Sequence, residues 1–210
     1  SACRIMTKLY YHPHSSAAAS FIAAVAAGVH IEVEQIDFAT KATTSGADFF
    51  AINPKGNVPA LVLDDGTVLN EGSAVLQYIA DQAPGTVAPE NGTTQRYILQ
   101  NVLNYLASEV ASTLNVLCSE AELVDKEALK VKFVSKFEYV EKNILHTHQY
   151  LVDNKFSVAD AYLYILLRAV PYVGVDLSAY PGLTAFSATV GALPAVVEAH
   201  AKMNADASST

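Results

Sequence analysis

The chain has 210 residues, 51% of them hydrophobic and 16% charged, with a formal net charge of −8. That much apolar surface offsets chain entropy and argues against a largely disordered protein. The acidic balance, with no basic stripe to neutralise phosphates, argues against nucleic acid as a partner.

The first third is punctuated like an α/β unit. Lys8-Leu9-Tyr10-Tyr11-His12 is a short β-prone run stopped by Pro13. Ser15 or Ser16 is placed to cap a helix through Phe21, Ile22 and Val25 that ends at Gly28. Ile31 to Asp37 alternates apolar and polar with period two, which predicts a strand. After a polar loop from Thr40 to Gly46 and the turn-rich Pro54–Pro59, Ala60–Leu63 and Thr67–Leu69 flank Asp64-Asp65-Gly66, a hairpin signal. Ser73 to Gln82 reads as a helix stopped by Pro84-Gly85. The expected first domain, residues 1–84, is therefore a four-stranded mixed sheet with helices.

Residues 85–93, with Pro89 and Gly92, read as a linker, and 94–210 as an all-helical domain. Leu99, Val102, Leu103, Leu106, Val110, Leu114 and Leu117 recur at three and four residues, and Leu129, Phe133, Phe137, Val140 and Ile144 repeat the pattern. Ser157-Val158-Ala159-Asp160 has the form of a capping box, so Asp160 is expected to serve folding rather than catalysis. Pro181-Gly182 and Leu193-Pro194 mark two last helices, and Asp206 to Thr210 read as a disordered tail. The fold class is α/β plus all-α.

No apolar run reaches the length of a membrane span, since Ser, Arg168 and Pro171 interrupt the candidates. The N-terminus lacks a signal-peptide layout, and Cys3 and Cys118 are too few for a disulfide scaffold, so a cytoplasmic, reducing home and no membrane partner are expected. His12-x-His14 lacks nearby Cys or acid partners, so no metal is expected there. His146-x-His148 reads as two faces of a solvated helix, and Tyr105, Tyr162, Tyr164 and Tyr172 as core.

Four segments, in order, carry a resemblance: Lys8-Leu9-Tyr10-Tyr11, Ala51-Ile52-Asn53-Pro54-Lys55-Gly56-Asn57-Val58-Pro59-Ala60-Leu61, Leu69-Asn70-Glu71-Gly72 and Ser157-Val158-Ala159-Asp160-Ala161-Tyr162. From Met6 onward the chain resembles the cytosolic glutathione transferases, closest to the bacterial beta class; Ser1 to Ile5 precede the usual start. The resemblance implies a thioredoxin-like N-terminal domain with a C-terminal helical bundle domain, the glutathione transferase fold. It also implies glutathione as co-substrate, a small hydrophobic electrophile and a homodimer.

Glutathione is a tripeptide with two carboxylates, an amine and a thiol, and the resemblance assigns residues to each need. A cis Val58–Pro59 bond would expose the Val58 N–H and C=O for β-augmentation. Glu71 would take the ammonium and the N–H groups at Gly72 a carboxylate. Lys41 would reach the glycine end, and Asn104, Ser108 and Glu109 would line the site, partly from the other subunit. Three hydroxyls could stabilise the thiolate. Ser16 matches the beta-class cysteine, Ser15 the serine of theta- and delta-like classes, and Tyr11 the tyrosine of alpha- and mu-like classes; Ser16 or Ser15 is favoured.

Two departures bear on chemistry. Ser16 cannot form a mixed disulfide, and the beta-class histidine falls at Ala111. Gly72 also stands where many members have serine. The expected activity is conjugation at a pocket around Asn104–Leu114 and Tyr11–Ser15. The alternative is a catalytically weak protein that binds glutathione or a hydrophobic ligand.

Overall fold

A computed structural model describes residues 7–119 and 125–207. Cys3, Met6, the residues before it and the end of the tail lie outside the described residues. The sheet has order β2-β1-β3-β4, with β1 Lys8–Tyr11, β2 Glu32–Gln35, β3 Ala60–Val62 and β4 Val68–Leu69. β1 and β2 run parallel through the crossover helix α1, Ala18–Ala27, and the remaining pairs are antiparallel. Period-two alternation puts Leu9 and Tyr11 on one face, against α1 and α3 (Gly72–Asp81). Tyr10 and Ala60 face the other way, where Phe49 of the short helix α2, Phe49–Ile52, covers them.

The alternation misplaces one residue. Glu34 reads as solvent-facing but is 7% exposed, beneath the loop at 43–45. Burial pushes its carboxyl up. The Lys8 ammonium at 2.6 Å, the Ser45 N–H and the hydroxyls of Ser45 and Thr43 outweigh that and pull it down to about 2. Its folded value is below the ordinary 4.5, so this stability is present above that pH and is lost as pH falls through 2. Urea unfolding should lose about 2 kcal/mol along that acid limb, and Glu34→Gln should flatten it. Equal acid limbs in both proteins would refute the assignment.

The helical part begins at α4, Thr94–Tyr105, whose N-cap Thr93 accepts from the Arg96 N–H at 3.1 Å. The leucine stripe runs unbroken from α4 to α5, Ser112–Cys118, but a π-helical turn at Leu106–Ala111 joins them. Hydroxyls of Ser108, Ser112 and Thr113 donate to carbonyls one turn back along this stretch. A second π turn, Val140–Leu145, ends α6, Lys126–Tyr139. His146 and His148 lie past that end rather than on a helix. Tyr105, Tyr162 and Tyr164 are partly or fully buried, but Tyr172 is 83% exposed and so is not core.

α7, Val158–Ala169, is central: Val158 to Leu166 are all buried, between α1, α4 and α8 (Pro181–Gly191). α9, Pro194–Ala207, packs on α1. Its backbone includes residues 206 and 207, which the sequence reading had placed in a disordered tail. The two halves share one apolar core. Arg96, 3% exposed, makes bonds of 2.9 and 3.2 Å to the two oxygens of Asp81 and one of 3.3 Å to the Pro89 carbonyl, tying α4, α3 and the linker. Among the described residues no single helix is long and apolar enough to cross a membrane.

Candidate active site

β1 ends where Pro13 forbids further pairing, and the chain turns through Ser15 and Ser16 into α1. Neither serine is the N-cap; that position is Ala17, without a side-chain cap. Ser15 works one step earlier. Its hydroxyl donates to the His12 carbonyl at 2.8 Å and accepts from the Ala17 N–H at 3.2 Å. Its proton is therefore engaged within the turn. Tyr11 is 0% exposed, and its oxygen accepts from Gln35 Nε2 at 3.4 Å. Ser16 differs from both. Among the described residues its hydroxyl and its N–H have no partner, and it lines a cleft of about 350 Å³.

The other wall of that cleft is the segment Gly56-Asn57-Val58. The Val58–Pro59 bond is cis, and among the described residues the Val58 N–H and C=O have no backbone partner. Asn53 shapes this segment: fully buried, it donates to the Asn57 carbonyl at 2.7 Å and accepts from Asn70 Nδ2 at 2.9 Å. Lys41 also lines the cleft, its ammonium donating to the Gly56 carbonyl at 3.0 Å and lying 5.4 Å from the Phe38 ring centre. Phe38 in turn stacks on His12 at 4.2 Å. Burial, then His14, holds His12 below its ordinary value, and its Nδ1 accepts the His14 N–H. Among the described residues no third His, Cys, Asp or Glu joins this pair.

Gly72 opens α3 beside this wall; a Cβ built on it would lie 4.0 Å from Pro59 Cδ and 3.9 Å from the Tyr162 hydroxyl. The Gly72 and Ser73 N–H groups have no partner among the described residues. Glu71 precedes them, exposed and ion-paired with Lys55. Burial, then the Glu71 charge, pushes the Tyr162 hydroxyl up to about 12, so it stays a neutral donor.

The helical wall is the expected one only in part: of the Asn104–Leu114 segment, Leu114 lines the cleft. Asn104, Ser108 and Glu109 are exposed and do not line the cleft; Glu109 pairs with Lys136, and Ser108 donates to the Asn104 carbonyl. The cleft instead meets Leu114, Asn115 and Cys118 of α5 and Ile165, Leu166 and Ala169 of α7. Burial pushes the Cys118 thiol up, so it is a poor nucleophile. Ile165 and Ala169 sit one turn apart and read in sequence as ordinary core; nothing local marks them as cleft. Ala111, 6% exposed, puts no polar group there.

The arrangement offers a tripeptide an open main-chain edge, a cation, a free helix start and a free hydroxyl beside an apolar wall. The glutathione S-transferase N-terminal domain profile matches residues 6–81, and the glutathione S-transferase C-terminal domain profile residues 102–194. Over 195 residues the chain is 34% identical to the glutathione S-transferase GstA of Escherichia coli O157:H7, covering 91% of this chain and 96% of that protein. It is 36% identical to a sphingomonad glutathione S-transferase solved with glutathione (TM-score 0.87, covering 94% and 98%). It is 35% identical to the beta-class glutathione S-transferase of Sphingomonas chungbukensis (TM-score 0.86, covering 93% and 98%). The chain belongs to the glutathione S-transferase family, on its bacterial beta-class side.

Proposed function

We propose that the cleft binds glutathione along Val58, holds its thiolate on Ser16 and adds it to a small hydrophobic electrophile resting on Leu114, Ile165 and Leu166. The observation that carries this is the state of the three hydroxyls. Ser15 gives its proton to a carbonyl, Tyr11 is buried, and Ser16 alone of the three faces the cleft with its donor unengaged. A free thiol has a pKa near 8.5, and moving it down by about two units needs roughly 2.7 kcal/mol. A hydroxyl donor, the Ser16 N–H and the start of α1 are the groups that supply it. The γ-glutamyl end runs to Glu71 and the Gly72 N–H, and the glycine carboxylate to Lys41.

The test pairs calorimetry of glutathione binding with conjugation of 1-chloro-2,4-dinitrobenzene. Saturable binding with turnover supports the reading. Binding without turnover makes the protein a ligand-binding member of the family, and no binding at millimolar glutathione refutes it. A homodimer belongs to the same proposal, and sedimentation at a mass of one chain overturns that part.

A further inference from the structure

A second lobe of about 80 Å³ borders the cleft; the two share His14, Ser15, Ile165 and Ala169 in their walls. The second lobe ends on Arg168, Tyr172 and His200, and among the described residues no Asp or Glu lines it. Arg96 is held by Asp81, and Lys8, Lys55 and Lys136 by Glu34, Glu71 and Glu109, while Lys41 and Lys155 donate only to the Gly56 and Gly85 carbonyls. Among the described residues Arg168 has no carboxylate partner.

Its guanidinium is nevertheless positioned. One nitrogen donates to the Tyr164 hydroxyl at 3.3 Å, and the group lies 5.7 Å from the Tyr164 ring centre. That hydroxyl also bonds His200 Nε2 at 3.1 Å, which fixes it from the far side. Asp176, in the neighbouring groove that Arg168 also borders, is taken up by the Ser178 N–H and hydroxyl. Among the described residues the remaining guanidinium donors have no partner, and the fork suits a carboxylate bidentately.

We propose that Arg168 is a specificity-determining residue that holds a carboxylate on the electrophile, so that the preferred substrates have an apolar body along Ile165 and Ala169 and an anionic end. This rests on the conjugation reading above. The probe is 4-chloro-3,5-dinitrobenzoate, compared with the neutral 1-chloro-2,6-dinitrobenzene. In either case the thiolate sulfur attacks the carbon bearing chlorine, the C–S bond forms and the C–Cl bond breaks. Chloride leaves with the electron pair, and the thiol proton goes to solvent.

Arg168→Met should lower kcat/KM for the benzoate by about tenfold or more, mostly through KM, while the neutral probe stays within about twofold. Arg168→Lys should recover part of the loss, because the charge returns without the fork. If both probes fall together, or neither moves, the proposal is overturned while conjugation stands. If wild type turns over neither probe, the conjugation reading fails, and binding of unreactive 3,5-dinitrobenzoate against 1,3-dinitrobenzene decides this inference. A preference for the acid that disappears in Arg168→Met supports it, and equal binding refutes it.

Discussion

Ser16→Ala should lower kcat/KM for conjugation of glutathione at pH 7 by about three- to twentyfold, and should move the acid limb of the pH profile up by one to two units. A hydrogen bond to a charged acceptor is worth about 1.5–3 kcal/mol, and one pKa unit is 1.36. With the hydroxyl, a thiol brought to about 6.5 is roughly three-quarters thiolate at pH 7. Without it, and with the Ser16 N–H and the start of α1 kept, a thiol at about 7.5–8.5 is between a quarter and a few per cent thiolate. The deficit should close above about pH 9, where both thiols are ionised and the more basic thiolate is the better nucleophile. Absorbance of the bound thiolate, titrated against pH, checks the shift without turnover.

The two other hydroxyls give contrasting expectations. Ser15→Ala orphans the Ala17 N–H and removes the donor to the His12 carbonyl, so it should cost about 1 kcal/mol of stability and leave the acid limb in place. Tyr11→Phe removes a hydroxyl whose 3.4 Å bond from Gln35 is long, and should leave the limb in place too. A limb that moves in Tyr11→Phe and stays in Ser16→Ala would reverse the assignment.

Asp160→Ala should cost about 3–5 kcal/mol of folding stability, measured by urea unfolding at pH 7. Asp160 is 0% exposed and accepts from the Leu151 N–H at 2.8 Å, the Ser157 N–H at 2.7 Å and the Ser157 hydroxyl at 2.8 Å. Alanine leaves two backbone donors buried without partners and removes the box that starts α7. Asp160→Asn keeps an acceptor and should cost less. A loss under about 1 kcal/mol for alanine would show that water or another group replaces the carboxylate.

The same residue sets a pH dependence opposite in sign to that of Glu34. Burial pushes the Asp160 carboxyl up to about 6, against its three donors. Its folded value exceeds the ordinary 3.8, so the protonation-linked part of its stability is fully present below that pH and is lost as pH rises through 6, while the bonds from Leu151 and Ser157 remain to the carboxylate. Asp160→Asn should remove this limb, while the acid limb from Glu34 remains.

The local devices of this fold were legible in the chain because each depends on neighbours in sequence. Gly28 ends α1 in a left-handed turn at φ 66°, the Asp-Asp-Gly turn joins β3 to β4, and Ser157 with Asp160 starts α7. Conformational preference and short-range hydrogen bonds decide such features before any packing occurs. The four-stranded mixed sheet and the helical second half followed from the same periodicities.

Only the tertiary structure decided which hydroxyl is free. Ser15 and Ser16 are adjacent and chemically equal, and what separates them is the His12 carbonyl, which the turn after Pro13 brings to Ser15 alone. Tyr11 is buried by a sum over α1 and α3 that no local pattern contains. Glu34 alternates like a surface residue and is buried because a loop folds over it. Within the expected Asn104–Leu114 wall only Leu114 meets the cleft, and Ile165 and Ala169 join it, because the packing of α5 and α7 selects which residues meet β1 and Val58. Helical periodicity says that a stripe is buried; it does not say against what.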